Sequence, residues 1–225
     1  MKVRRFRSAE VILVMLVNVA VFLHQEALGP VRRMMFNDRY GAVPATMWDA
    51  WAALRATGLT RDVLLAAMPL VTANYLHADI THIGANMLFL WIFANVVSQT
   101  AGRALFLLVY LLAGMVAVLV YVRTNPGSDI PMIGASGAIA GLEGAYFAFS
   151  FRWEMPHATV WPLDGPVPAS RLALVALLNF ALDTSSFFGH STDNVAYGAH
   201  VGGFLGGALV AMAIASFYRP RWRAP

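Results

Sequence analysis

The chain has 225 residues, of which 59% are apolar and only 12% charged, and its mean hydropathy is +0.61. A soluble core of this size could not bury so much apolar surface, and the same figures exclude intrinsic disorder, so the composition is that of a polytopic membrane protein. The net charge of +4 is concentrated toward the ends and the first loop, which points to membrane interfaces and not to nucleic acid, and the absence of cysteine excludes disulfides, thiolate catalysis and cysteine metal sites.

The opening MKVRRFR is basic and precedes an apolar run from Val11 to Leu23. No small-residue cleavage site follows, since His24, Gln25 and Glu26 come next. The segment therefore reads as an uncleaved first span with a cytoplasmic basic anchor, short enough that flanking residues must help it cross. Residues 25–68 are the only long polar stretch, with five arginines, four acidic residues and two prolines. Within it, Met47, Trp48, Trp51, Ala52, Leu54 and Arg55 fit an amphipathic helix at the interface and fit a plain surface loop about equally well. Further apolar runs follow at Leu76–Val97, Ala104–Val122, Ile130–Phe151, Leu172–Leu182 and Ala196–Phe217. The fifth span is weak, closed early by Asp183 unless it continues through Phe187 and Phe188. The expected fold is all-α: a polytopic membrane protein whose residues 1–225 form one six-transmembrane-helix bundle, with residues 25–75 as an outer loop.

An even number of spans puts both termini on one side. With the amino terminus inside, ten basic residues fall in inside segments and six outside, which favours this orientation. Spans two, four and six then all run from outside to inside. Each opens with polar residues that are costly in a membrane and usually functional there: His77, Asp79, His82 and Asn86; Gly134-Ala135-Ser136-Gly137; and Tyr197-Gly198-Ala199-His200. Ser136, His200, His82 and Asn86 are thus expected at similar depth, with His82 and Asn86 on one helix face. Gly198, Gly202 and Gly206, with Ala199, Gly203 and Gly207 beside them, and Gly137, Gly141 and Gly144 on span four, would let these two backbones approach closely. Proton exchange between a serine hydroxyl and an imidazole needs about 3 Å between heavy atoms. Asn86, His82 and the Ser136 backbone N–H supply the donors of an oxyanion hole. No carboxylate has an obvious place behind His200, so the residues read as a dyad and not a triad.

These motifs resemble the rhomboid family of intramembrane serine proteases, of the bacterial six-helix type. Leu76-His77-Ala78-Asp79-Ile80-Thr81-His82-Ile83-Gly84-Ala85-Asn86 is similar to the family's second-helix signature. Gly134-Ala135-Ser136-Gly137-Ala138-Ile139-Ala140-Gly141 is similar to its nucleophile motif, and Ala199-His200-Val201-Gly202-Gly203-Phe204-Leu205-Gly206-Gly207 to its sixth-helix histidine motif. Gly102-Arg103, Phe106, Tyr110 and Gly114 resemble its third helix, and the likeness covers roughly residues 68–215. It implies Ser136 as nucleophile, His200 as base, an oxyanion held by His82, Asn86 and the Ser136 N–H, no metal and no cofactor. It implies transmembrane-protein substrates cut near the outer end of a helix, in a multi-pass protein of the bacterial inner membrane with both termini cytoplasmic. The chain departs from the family in three places: Ala140 stands where a tyrosine often stacks on the histidine, leaving either Tyr197 or nothing to support His200, the acidic residues often seen between spans two and three are missing from Ala94–Ala101, and Glu143 lies in mid-span. A charged carboxylate is expensive at that depth, so Glu143 is expected to donate a hydrogen bond inside the bundle.

Two other readings compete. A metal-dependent hydrolase would bind zinc through His77, Asp79, His82 and His200, but their spacing is not H-E-x-x-H. A catalytically inactive membrane chaperone of the same fold would be expected to have lost Ser136 or His200.

Overall fold

A computed structural model describes residues 8–153, 155, 157–159, 166–189 and 195–215. The basic flanks at Lys2–Arg7 and Arg219–Arg223, on which the orientation argument leans, lie outside the described residues. In chain order the helices are α1 (Ala9–Ala27), α2 (Pro30–Tyr40), α3 (Pro44–Thr57), α4 (Arg61–Ala67), α5 (Pro69–Thr72), a 3₁₀ turn (Ala73–Tyr75), α6 (Ile80–Ala101), α7 (Arg103–Thr124), α8 (Ser136–Arg152), α9 (Ala169–Phe188) and α10 (Tyr197–Ala215). Extended pairing among the described residues is confined to Ala158–Thr159 against Pro166–Val167 and a single bridge between Ala42 and Met132. The protein is a polytopic helical membrane protein.

Helices α1, α6, α7, α9 and α10 are long and apolar enough to cross a membrane. The fourth apolar run departs from its expected bounds. Residues 130–135 are not helical, and α8 begins only at Ser136 and runs for 17 residues. At 1.5 Å per residue it is about 25 Å long, short of the roughly 30 Å hydrocarbon layer. Every residue from Gly137 to Tyr146 is buried, so α8 is enclosed by other helices. The second run is also shifted, its helix starting at Ile80 and not Leu76. The fifth continues through Asp183 to Phe188.

The polar stretch after α1 is helical. Pro30 and Pro44 stand at the first positions of α2 and α3, where the missing N–H costs nothing. Gly58 ends α3 at a φ of 78°, and the Thr60 hydroxyl accepts from the Val63 N–H to start α4. All six residues proposed for an interfacial helix lie in α3. Trp51 is exposed, whereas Trp48 donates its indole N–H to the Val122 carbonyl at 3.1 Å and ties α3 to the end of α7.

Glycines set the centre of the bundle. A Cβ on Gly203 would overlap the Gly137 carbonyl, one on Gly207 the Gly141 carbonyl, and one on Gly144 the Phe204 carbonyl. The α8–α10 contact is therefore backbone on backbone, along the Gly203–Gly207 stripe. The parallel stripe of Gly198, Gly202 and Gly206 meets other neighbours: Phe187 of α9, then Val120 and Val116 of α7. Ala113 and Ala117 of α7 close on Gly141 and Gly137.

Helix α9 is held differently. Its two buried residues are Leu172 and Ala176. Asn179 and Asp183 continue the same face at helical spacing. The Asn179 amide donates to Glu143 Oε1 at 3.0 Å, so Glu143 finds its partner inside the bundle as acceptor in that bond. Phe180 stacks on Phe204 at 4.3 Å between ring centroids.

Gly203→Ala should lower stability by roughly 1–3 kcal/mol, because the new methyl meets backbone that cannot rotate away. Gly84→Ala, where a Cβ meets nothing within 4 Å, should not; thermal unfolding in detergent compares the two. Glu143→Gln should be nearly silent, since an amide can still accept from Asn179. Glu143→Leu should lower the melting temperature more than the rate per folded molecule, measured on the same preparation.

Candidate active site

Helices α6, α8 and α10 begin at one end of the bundle, and α9 ends there. Ser136 is the first residue of α8, and its N–H belongs to the first turn, which has no intrahelical acceptor. The approach to it is pinned twice. Met132 exchanges both backbone hydrogen bonds with Ala42 at 2.9 Å, and the Gly134 N–H donates to the Ala73 carbonyl at 2.9 Å. Gly134 has a φ of 130°, and a Cβ there would sit 2.8 Å from His82 Nε2. Both conformation and space therefore require glycine.

His200 lies in the first turn of α10, and its Nε2 is 2.9 Å from Ser136 Oγ. The glycine contacts one turn below hold the two helices at this separation. The other ring nitrogen, Nδ1, is 3.1 Å from Asp183 Oδ1. The reading of a dyad with no carboxylate behind His200 is corrected here: a carboxylate stands there, carried by α9. A carboxylate only accepts, so Nδ1 carries the proton and Nε2 offers its lone pair to the serine hydroxyl. Asp183 escapes notice when it is read as the end of an apolar run. Its signal is spacing, because Leu172, Ala176, Asn179 and Asp183 fall on one helical face. Tyr197 meets the His200 ring edge-on at 6.1 Å.

His82 is fixed in the opposite sense. The Ala78 N–H donates to its Nδ1 at 3.3 Å, which leaves the proton of the neutral ring on Nε2, the atom that faces Gly134 near Ser136. Asn86, one turn on, is buried, and its Nδ2 has no acceptor. The structure thus brings Ser136, His200 and His82 together, with a spare amide donor on the same face of α6 as His82. Asp79 caps α6, accepting from the Thr81 and His82 N–H groups at 2.8 Å. Hydrogen bonds from the Thr81 hydroxyl and the His82 N–H hold its carboxyl below the usual range. Arg33 donates to the Ala78 carbonyl at 2.6 Å, and Gln25 accepts from the His77 N–H at 3.0 Å, so the turn ahead of α6 is anchored to α1 and α2.

His77 is buried and meets His82 edge-on at 5.2 Å. Desolvation, then the nearby His82, push its pKa down from 6.5 to about 4. Among the described residues no three His, Asp or Glu side chains group as metal ligands; Asp79 is engaged by its cap and His200 by Ser136 and Asp183.

A rhomboid-domain family model matches residues 65–217, more than half of the chain. The chain belongs to the rhomboid family. It is 32% identical over 147 residues to "Rhomboid protease GluP" of Bacillus subtilis, covering 64% of this chain and 25% of that protein. It is 32% identical over 142 residues to "Putative rhomboid protease YdcA" of the same organism, covering 63% and 64% of the two chains. "Rhomboid-like protein 11, chloroplastic" of Arabidopsis thaliana is 29% identical over 147 residues, covering 65% and 52%. In each case the match spans less than two thirds of the relative's own length. In this rhomboid chain the motifs on α6, α8 and α10 converge at one end of the bundle.

The lowered pKa of His77 gives a pH dependence of definite sign. The fold favours the neutral ring, so the contribution is complete above about 6.5 and is lost as pH falls toward about 4. Thermal stability in detergent should fall across that window, and His77→Phe should flatten the fall.

Proposed function

We propose that this chain is an intramembrane serine endopeptidase that cleaves transmembrane segments of other membrane proteins. The observation that carries this reading is the 2.9 Å contact between Ser136 Oγ and His200 Nε2, made in the first turns of two membrane helices. Ser136 Oγ attacks the scissile carbonyl carbon while His200 Nε2 takes its proton. The oxyanion is held by the Ser136 N–H, the His82 Nε2–H and the Asn86 amide. The proton on Nε2 then passes to the leaving amine, and water, activated by the same nitrogen, releases the acyl group. A site in the first turn is within reach of bulk water, as the second half-reaction requires. A peptide bond near the end of a substrate helix lies at matching depth, so such bonds are the substrate class. The lipid bilayer is the working environment: a cell membrane, with both termini on the cytoplasmic face and the site near the opposite one. The two Bacillus relatives, a rhomboid protease and a putative one, favour a protease over an inactive chaperone, as does the presence of both Ser136 and His200.

Ser136→Ala and His200→Ala should each abolish cleavage of a model transmembrane substrate and labelling by a fluorophosphonate, with thermal unfolding unchanged. Asn86→Ala should lower turnover by about 10²–10³-fold, the usual effect of losing one oxyanion donor, or less where the other donors compensate. Full activity in purified Ser136→Ala sinks the proposal, and inhibition by phenanthroline that zinc reverses replaces it with a metal hydrolase.

A further inference from the structure

We propose that Asp183 is a positioning residue for this reaction, its carboxylate holding His200 in the one tautomer and orientation that can accept the serine proton. The proposal rests on the protease reading and extends it to a third helix.

The geometry is specific. A neutral imidazole has two tautomers, and only the form protonated on Nδ1 leaves Nε2 free to accept from Ser136 Oγ. Asp183 Oδ1 at 3.1 Å from Nδ1 selects that form. The side chains of His200 and Asp183 are 18% and 21% exposed. The pair is therefore shielded enough for a directed contact while remaining open to solvent on one side.

Asp183 is also held from both directions along α9. One turn before it, the Asn179 amide bonds to Glu143 of α8 and Phe180 stacks on Phe204 of α10. One turn after it, Phe187 lies against Gly198, where a Cβ would come within 2.9 Å of the ring. A helix with only two buried residues thus has its rotation fixed around the carboxylate. When Ser136 gives its proton to Nε2, the ring becomes an imidazolium with a proton on each nitrogen. Asp183 keeps the Nδ1 proton hydrogen-bonded and opposes the new positive charge without taking a proton. The Nε2 proton leaves with the amine, and the ring returns to its starting tautomer.

The test uses the purified 225-residue chain in detergent, reading cleavage of a model transmembrane substrate, fluorophosphonate labelling of Ser136 and thermal unfolding. Asp183→Asn preserves shape but can present its NH₂ to Nδ1 and so stabilise the wrong tautomer. Its kcat and labelling rate should fall by as much as about 10⁴-fold, with KM and melting temperature unchanged, and Asp183→Glu should recover part of the loss. A purely structural tie would behave in reverse, with Asp183→Asn silent in rate. If Asp183→Asn does not fold, Asp183→Ala repeats the measurement with the same expected loss. A folded Asn or Ala variant that labels and cleaves at the native rate overturns the role of Asp183 alone. A native chain that neither labels nor cleaves overturns the protease reading, and this role with it.

Discussion

Hydrocarbon offers helices no hydrophobic reason to associate, so close packing must hold them. In this protein the packing reaches its limit between α8 and α10, where Gly203 and Gly207 leave no room for a Cβ against the carbonyls of Gly137 and Gly141. Backbones in contact have no rotamers through which to relax. The positions of the first turns of both helices follow, and with them the distance between Ser136 Oγ and His200 Nε2. Helix α7 reinforces the arrangement, its Ala113 and Ala117 closing on α8 and its Val116 and Val120 on α10.

With the helix positions set, the remaining chemistry is a matter of which nitrogen carries a proton. Two imidazoles flank Ser136 and are held in opposite senses. His82 accepts a backbone N–H at Nδ1 and so presents a donor, while His200 faces a carboxylate at Nδ1 and so presents an acceptor. Neither ring's role follows from being histidine. Each is assigned by the group on its far side, one of them main chain from the turn ahead of α6 and the other a side chain from α9.

Much of this was legible in the sequence because membrane burial makes polar residues conspicuous. His82, Asn86, Ser136 and His200 stood out as polar groups in apolar runs, and alternate spans put them at one depth. What escaped was of two kinds. Hydropathy cannot see a helix start, so the apolar runs at Leu76 and Ile130 extend ahead of their helices: residues 76–79 and 130–135 form the turns that lead into α6 and α8. Hydropathy also treats a charge as an edge. Asp183 therefore marks either an early end or a polar position in a span that runs on through Phe187 and Phe188; the helix runs on, and the spacing from Leu172, Ala176 and Asn179 places Asp183 on its inward face. The loop after α1 hid α2, which is marked by Pro30 at its start and Gly41 after its end and not by apolar periodicity, whereas α3 covers the residues that fit an amphipathic helix.

The parts of the site differ in mechanical compliance. Ser136 and His200 belong to two helices clamped main chain to main chain, and a small force will not separate them. Asp183 rides on α9, whose outer face is open along most of its length and whose attachments are single side-chain contacts: an amide on a carboxyl, a ring on a ring, a ring over a glycine. A sideways displacement of α9 by an ångström or two carries the carboxylate off Nδ1 and leaves the serine–imidazole contact standing. Stiffness thus guards the serine–imidazole distance, and the tautomer of His200 is left to the least buried of the five long apolar helices.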